Sequence, residues 1–275
     1  MAFSTSSSVI PSHSNGMVSR SYWDIERPGY IPKPRWMWFP SIYPLAEFRY
    51  EGAGRIITED GAVPLDNNIS QLGPMRQQSG GNANALRTND TKILADVGSG
   101  GFTFVKWVDW QSRGANPPSG VQYWGAIQKS GNNPSLLFSI QTGSGTTAKN
   151  KIYVEGNNGL KNESICDGSF DVATGDHRYL HMVAFSGNIL DGTSHKFFWD
   201  GAQQAHTLGT NTGVPDSISN MTRDCFIGAR NNKGTKDSTG NYYSGPIMWW
   251  THELDVGQIN YLYRDPFALV RRRRS

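Results

Sequence analysis

Apolar and polar residues alternate along most of the chain from about Leu45 onward, which is the pattern of half-buried β-strands. Every second side chain is apolar within residues 136–141, and residues 121–128 repeat this pattern. A period of two directs one face of each segment toward a core. Residues 102–110 alternate in the same way, interrupted only by Lys106. Further strands are predicted at 151–155, 179–185, 195–199, 225–229 and 245–251.

Turn residues separate these segments. Asp200-Gly201 follows the strand at 195–199 and predicts a two-residue hairpin. Many short strands with frequent turns favour an all-β sandwich or barrel over an α/β architecture. Residues 55–94 are patterned too weakly for their strands to be placed.

One short helix is predicted near the end of the chain. Asp255 is a good N-cap residue for a helix running from Val256 to Tyr263, and Pro266 follows soon after as a stop. No other segment has the pattern of a long helix.

The N-terminal segment differs from the rest in composition. Residues 1–21 are rich in serine, and the next thirty residues combine many aromatics with prolines at 28, 32, 34, 40 and 44. Proline disfavours a regular helix and favours extended chain, and large aromatics gain free energy from burial. Either this segment folds back on its own sandwich, or it is an arm that docks on a neighbouring subunit. The predicted anchors of such an arm are Tyr22, Trp23, Tyr30, Trp36, Trp38, Phe39 and Tyr43.

Composition and charge narrow the class of protein. The chain has 275 residues, of which 18% are charged and 12% aromatic, and these values suit one large β domain with appendages. The start of the chain lacks the basic and apolar regions of a secretory signal, and no apolar run is long enough to span a bilayer. Cys166 and Cys225 are therefore expected to be reduced.

The formal net charge of +3 includes four consecutive arginines near the C-terminus. Such a run is either a solvated, mobile end or an electrostatic docking site for an acidic surface or nucleic acid. Because the rest of the chain is close to neutral, nucleic acid is not expected as a partner. The arginines concerned are Arg271, Arg272, Arg273 and Arg274.

Four motifs in order resemble the laminin-G-like, concanavalin A-like jelly-roll family over about residues 95–265. They are Phe102 to Trp107, Tyr179 to Phe185, Lys196 to Gly201, and the pair Phe226 to Arg230 with Tyr243 to Ile247. The resemblance implies a two-sheet antiparallel jelly-roll sandwich that closes with a short helix. The expected organisation is an extended arm at 1–44, the sandwich at 45–265 and a basic tail at 266–275. Deleting residues 1–44 is expected to leave the sandwich folded.

The segment Leu262 to Leu269 resembles an ending common in jelly-roll proteins encoded by bacteriophages. This resemblance implies a virion structural protein, such as a capsid decoration or cement protein. Its partners would be capsid or other virion proteins, and copies of the chain would form a homo-oligomer or array on the particle. Such a protein would be assembled in the host cytoplasm.

Catalysis is not expected. Retaining glycosidases need two nearby carboxylates, and laminarinase-like relatives of this fold carry them as Glu-x-Asp-x-x-Glu. The nearest match here is Glu253-Leu254-Asp255 with Gln258 in place of the second glutamate. Asp255 is better explained as a helix cap. No cofactor motif is present.

Metal binding has no diagnostic motif either. A structural calcium would take loop carboxylates, although ordinary turn formation explains these aspartates as well. The histidines are too scattered for a zinc site, and His181 is expected to hydrogen-bond within a sheet. The loop aspartates are Asp167, Asp171, Asp191 and Asp237.

The alternative function is a carbohydrate-binding adhesin or lectin-like module that recognises a cell-surface glycan. Aromatic side chains stack on sugar rings when they are exposed, and the candidates are Trp124, Trp249 and Trp250. Adjacent residues of a strand point to opposite faces, so one of Trp249 and Trp250 is expected to face the core and the other to face outward.

Overall fold

The structure of the protein is a computed structural model with two large antiparallel sheets. It describes residues 31–32, 34–41, 48–49, 57–60, 65–66, 72–77, 85–88, 100–109, 120–128, 135–142, 147–167, 170–171, 180–216, 225–228, 230–232, 235–237 and 242–269. Strands are numbered in chain order. The predicted all-β antiparallel sandwich with one short helix is confirmed.

Sheet I has nine strands. Its main path runs in the order β15 (Ala202–Gln204), β14 (Lys196–Trp199), β13 (His181–Asn188), β7 (Gly101–Asp109), β20 (Tyr243–Trp250), β1 (Trp36–Trp38) and β2 (Phe48–Arg49). β5 (Met75–Gln77) pairs with β20 and with β4 (Leu65–Asp66). The centre of this sheet is therefore the antiparallel pair of β7 and β20.

Sheet II also has nine strands. Its path is β16 (His206–Asn211), β11 (Lys161–Cys166), β10 (Thr147–Glu155), β9 (Ser135–Thr142), β8 (Gly120–Gln128), β17 (Cys225–Ile227), β6 (Ala85–Thr88) and β3 (Ile57–Asp60). β12 (Phe170–Asp171) pairs with β10, and β18 (Arg230–Asn232) forms a separate ribbon with β19 (Thr235–Asp237).

The core between the two sheets is rich in aromatic rings. Phe104 of sheet I stacks on Phe138 of sheet II with ring centroids 4.7 Å apart, and Phe102, Phe185 and Trp249 pack around them. These side chains occupy alternate positions of their strands, as the sequence pattern predicts. Each large aromatic buried in this way contributes about 2–3 kcal/mol through the apolar area it removes from water.

Lys106 explains the interruption in the alternation of β7. Its side chain shares a strand face with Phe104 and is fully buried. The ammonium group donates a 2.8 Å hydrogen bond to the Tyr242 hydroxyl and lies 4.6 Å from the centroid of that ring. Burial raises the pKa of Tyr242 well above its ordinary value, so the hydroxyl stays protonated.

A second core covers the outer face of sheet I. Met248 and Trp250 of β20 pack there with Trp107, beneath a layer that includes the helix, Ile31 and Phe39. All eight residues of β20 are consequently buried, on both faces of the strand. Such a strand has no polar face that contacts solvent.

The N-terminal segment contributes to both cores. β1 pairs with β20 in register Met37 to Met248, and the Arg35 N–H donates to the Trp249 carbonyl over 2.7 Å. Trp38 enters the core between the sheets, and Phe39 packs against Phe267 with centroids 5.9 Å apart. Both side chains are fully buried within their own chain. The arm hypothesis is therefore wrong for Trp38 and Phe39, and the fold-back alternative describes this part of the segment.

The predicted hairpin and helix are both confirmed. Asp200 and Gly201 have φ angles of 50° and 81°, as a tight primed turn between β14 and β15 requires. The helix, α1, spans Val256–Arg264. Asp255 accepts a 2.8 Å hydrogen bond from the Gln258 N–H, and the Gln258 side chain accepts one of 2.9 Å from the Asp255 N–H. This reciprocal capping box explains Asp255 and Gln258, the residues that align with the second and third acidic positions of the laminarinase-like motif.

One histidine is buried beside the loop that joins β13 to β14. In this loop the Asp191 carboxylate accepts a hydrogen bond from the Thr193 N–H and caps a single 3-10 turn at 192–194. The His195 ring follows, with Nδ1 2.8 Å from the Ser164 hydroxyl and Nε2 3.3 Å from the Ile189 carbonyl. Burial is the main cause that lowers the pKa of His195 to about 4.

No helix within the described ranges is long and apolar enough to cross a membrane.

Candidate functional site

The tryptophan side chains show where an aromatic binding surface is available. Trp38, Trp107, Trp249 and Trp250 are all buried. Among the tryptophans whose side chains the structure describes, Trp199 at the end of β14 is the one that is partly exposed. A search for a stacking surface therefore begins at Trp199.

The expectation that Trp249 or Trp250 faces outward is wrong. The two side chains do point to opposite faces of β20, but both faces are covered. Trp249 lies in the core between the sheets, and Trp250 lies in the outer core, where its indole N–H donates a 2.7 Å hydrogen bond to the Pro32 carbonyl. Neither ring has an exposed face on which a sugar could stack.

Trp199 forms an aromatic pair with the first residue of β13. The His181 ring stacks on Trp199 with centroids 4.5 Å apart and an interplanar angle of 27°. This contact arises because β13 and β14 are antiparallel neighbours, with Val183 opposite Trp199. Both rings are half-buried, so each keeps part of its surface open to solvent.

Asp200 fixes the pair to the hairpin turn. One carboxylate oxygen accepts a 2.9 Å hydrogen bond from the Met182 N–H, and the other lies 2.8 Å from Nδ1 of His181. The His181 side chain is 16% exposed and that of Asp200 is 26% exposed. The expectation that His181 hydrogen-bonds within its sheet is confirmed. The carboxylate is thus held in one orientation while part of it reaches solvent.

The end of the helix α1 adjoins the same turn. If Gly201 carried a Cβ atom, that atom would lie 3.0 Å from Cβ of Tyr263 and 3.2 Å from the side-chain nitrogen Nδ2 of Asn260. The Tyr263 side chain is 38% exposed. Partial burial raises the pKa of Tyr263, and the negative charge of Asp200 raises it further. The hydroxyl therefore stays protonated.

Together these residues form what we call the hairpin-end cluster, defined as His181, Trp199, Asp200, Asn260 and Tyr263. Trp199 and His181 lie on the face of sheet I that packs on the core between the sheets, whereas Asn260 and Tyr263 reach the turn from α1 on the outer face. The two pairs of residues meet at Asp200-Gly201, so the cluster offers a carboxylate, an amide and a phenol at the end of the aromatic pair. A carboxylate oxygen has a second lone pair, and a phenol both donates and accepts. Aromatic surface beside convergent polar groups is the usual composition of a small-ligand site. The chemistry available is recognition of a ring that has both apolar faces and hydroxyl groups.

Sequence reasoning missed this cluster, although it carried one signal. Trp199 was placed correctly at the end of a strand, directly before a two-residue turn. A tryptophan at the end of a strand near a sheet edge has fewer neighbours to cover it than one in the middle of a sheet. The approach of Tyr263 and Asn260 depends on where α1 docks, and no local pattern encodes that.

The remaining predicted site residues are not part of this cluster. Trp124 lies in β8 and Trp36 in β1, but their side chains are outside the described set. Glu253 pairs with Lys196 at 3.0 Å. Within the ranges described above, no three His, Cys, Asp or Glu residues are grouped so that they could hold a metal ion. The residues lying outside the described ranges altogether are Tyr22, Trp23, Tyr30, Tyr43, Arg271, Arg272, Arg273 and Arg274.

Comparisons with known proteins support the fold and give no family. No protein-family model matches the chain, and no curated protein matches its sequence. The receptor-binding domain of botulinum neurotoxin mosaic serotype C/D, with tetraethylene glycol bound on its Hcn sub-domain, aligns with a TM-score of 0.58. The identity is 15%, over 86% of this chain and 51% of that one. This chain therefore spans about half the length of that domain.

Two further structures are similar. Botulinum neurotoxin type C, whose cell entry depends on interaction with two ganglioside molecules, aligns with a TM-score of 0.52 and 14% identity over 80% of this chain and 50% of that one. The CBM40 of the Ruminococcus gnavus IT-sialidase, bound to α2,6 sialyllactose, aligns with a TM-score of 0.50 and 14% identity. That alignment covers 74% of this chain and 100% of the module. At such identities the likeness shows the fold alone, a jelly-roll β-sandwich.

Proposed function

We propose that this protein is a non-enzymatic carbohydrate-binding module that holds a glycan at the hairpin-end cluster. The observation that carries the proposal is the stacked pair of Trp199 and His181 beside the fixed carboxylate of Asp200. The three groups lie on one hairpin and its neighbouring strand, and the pair keeps part of its aromatic surface open to solvent.

The groups of the cluster match the two kinds of surface on a sugar. The C–H face of a pyranose ring is apolar and would pack on the exposed part of the Trp199 ring or on Tyr263. The sugar hydroxyls would donate to the remaining lone pairs of Asp200 and accept from the Asn260 amide. Because Asp200 is already oriented by Met182 and His181, little freedom is lost when a ligand binds.

The comparisons support a binding role at the level of the fold. A ganglioside-dependent neurotoxin and a sialidase module bound to sialyllactose share the architecture. The capsid decoration role, by contrast, rests on the sequence resemblance at residues 262–269 and gains no support from these structures. It remains a prediction, and so does its location on a virion.

The test is a glycan-array screen of the full chain, followed by calorimetric titration of the best ligand. Trp199→Ala and Tyr263→Ala should each weaken binding by about five- to 150-fold, if a sugar stacks on an aromatic ring with the roughly 1–3 kcal/mol that a base gains there. Trp199→Phe should retain part of the affinity because it keeps an aromatic surface. Tyr153→Phe is the matched control, because it removes a hydrogen bond to Glu155 on β10 and leaves the cluster intact.

Two outcomes would overturn the proposal. One is an array on which the native protein binds no glycan. The other is a ligand whose affinity is unchanged by both alanine variants, provided that their thermal unfolding remains cooperative.

A further inference from the structure

Asp200 brings a negative charge to a turn that does not need one. Its φ angle is 50°, the left-handed value that a primed turn requires of its first central residue. Asparagine, aspartate and glycine all favour this conformation. The turn alone therefore does not explain why the residue before Gly201 is charged, and the contacts of the carboxylate have to be considered.

The carboxylate is held in one orientation and keeps part of its hydrogen-bonding capacity. One oxygen accepts the Met182 N–H over 2.9 Å, and the other lies 2.8 Å from Nδ1 of His181. An ionised carboxylate has about four lone-pair sites, so about two remain for a ligand. The Asp200 side chain is 26% exposed, so these sites are accessible from solvent. The negative charge thus has a fixed position within the cluster.

The same charge acts on the far side of the cluster. Among the described residues, Asp200 is the charged group that raises the pKa of Tyr263, in addition to burial. Tyr263 lies in the last turn of α1, where the helix dipole is negative. The next two residues, Arg264 and Asp265, carry opposite charges. A ligand at the cluster therefore meets a negative potential.

We propose that the hairpin-end cluster binds neutral and amino sugars, and that Asp200 excludes acidic sugars such as sialic and uronic acids. This inference rests on the proposed function and names the class of sugar that the same site takes. Hydroxyl and ammonium groups donate to the remaining lone pairs of Asp200, whereas a sugar carboxylate has no hydrogen to donate and is repelled. Two like charges about 5 Å apart in a watery site change a dissociation constant by about fivefold or more.

The test titrates the full chain with pairs of sugars that differ by an acidic group. The pairs are methyl galactoside with methyl galacturonide, methyl glucoside with methyl glucuronide, and lactose with sialyllactose. At about pH 8 histidine side chains are ordinarily neutral, so the charge of the carboxylate is not offset. The neutral member should bind about fivefold more tightly or better. Glucosamine should bind at least as tightly as glucose.

Salt provides a second measurement that needs no variant. Raising the salt concentration from about 0.01 M to about 1 M shortens the screening length from about 30 Å to about 3 Å. The preference for the neutral member should therefore narrow. A preference caused only by the shape of the acidic group would not change with salt.

Asp200→Asn removes the charge and keeps a residue that the turn accepts. This variant should lower the ratio of the acidic to the neutral dissociation constant by about fivefold or more. The ratio is the readout, because the substitution also weakens the hydrogen bonds donated by sugar hydroxyls. Glu253→Gln is the matched control, since it removes one exposed negative charge outside the cluster and should leave the ratio unchanged.

Three results would overturn the inference alone. The first is an acidic sugar that binds as tightly as its neutral counterpart, with binding still weakened by Trp199→Ala. The second is a preference for neutral sugars that persists unchanged in Asp200→Asn. The third is binding of an acidic sugar that is lost in Arg264→Gln, which would show that Arg264 recruits the acidic group. If none of these sugars bound the wild type, the inference and the proposed function would both be wrong.

Discussion

His195 shows how one buried side chain ties the stability of the fold to pH. Its two ring nitrogens contact the Ser164 hydroxyl and the Ile189 carbonyl, and among the described residues the charges of His206 and Asp191 act on it. The charge of Asp191 favours the protonated ring, but burial outweighs it. Protonation would place a cation in a nearly water-free site.

The first prediction concerns acid stability. The pKa of His195 is about 4 in the folded protein and 6.5 in the unfolded chain. The unfolded chain therefore binds the proton more tightly, so the contribution of His195 to the free energy of unfolding should be constant above about pH 6.5 and be lost as the pH drops toward 4. The total loss is about 3 kcal/mol, and urea denaturation at pH 7 and pH 5 measures its onset.

A substitution separates this histidine from other titrating groups. His195→Gln should make the native state less stable at pH 7 but should remove most of the difference between pH 7 and pH 5. The part-exposed His206 is the control, since His206→Gln should leave that difference largely in place. An unchanged pH dependence in His195→Gln would show that another group causes it.

At the scale of elements, the strongest local signals were the most reliable. The Asp200-Gly201 turn and the helix begun by Asp255 were predicted at the residues where they occur. The strands between residues 57 and 88 were not placed, and they are only two to four residues long. Such segments are held by pairing with distant strands, so their own sequences carry little alternation.

The second prediction concerns the cap of α1. Asp255→Ala removes the acceptor for the Gln258 N–H and should lower the free energy of unfolding by about 1 kcal/mol. Asp255→Asn keeps an acceptor oxygen and should cost only a few tenths of that change. Chemical denaturation of both variants measures the difference. Equal losses in the two variants would mean that the cap contributes through its charge instead.

At the scale of the whole molecule, the sequence predicted the sandwich but not its outer layer. The pattern of β20 showed that two tryptophans point in opposite directions, and it could not show that Ile31, Phe39 and α1 cover the second face. The same limit applies to the candidate site. Trp199 was visible in the sequence, whereas its grouping with Tyr263 exists only because the helix packs beside the hairpin turn.

The third prediction tests that outer layer. Deleting residues 1–41 removes Trp38 and Phe39 and uncovers Met248 and Trp250. The truncated chain should be several kcal/mol less stable, because removal of each buried large aromatic costs about 3–5 kcal/mol, and it should bind an apolar dye. This replaces the earlier expectation that the sandwich survives loss of residues 1–44.

Deletion of residues 1–30 is the control for this experiment, since it keeps β1 and the contact of Phe39 with Phe267. If the chain lacking residues 1–41 unfolded at the same temperature as the chain lacking residues 1–30, β1 would be dispensable for stability.

The hydrogen bond from Trp250 to Pro32 joins residues 218 positions apart in the chain. β1 can pair with β20 only after nearly all of the sandwich has been synthesised, so β1 must join sheet I late in folding. Contacts of such long range slow folding, because a large loop has to close before they form. Until then the emerging chain leaves the aromatic residues of β1 without their partner strand. Chaperones that hold apolar segments would therefore have their greatest effect on this protein during synthesis.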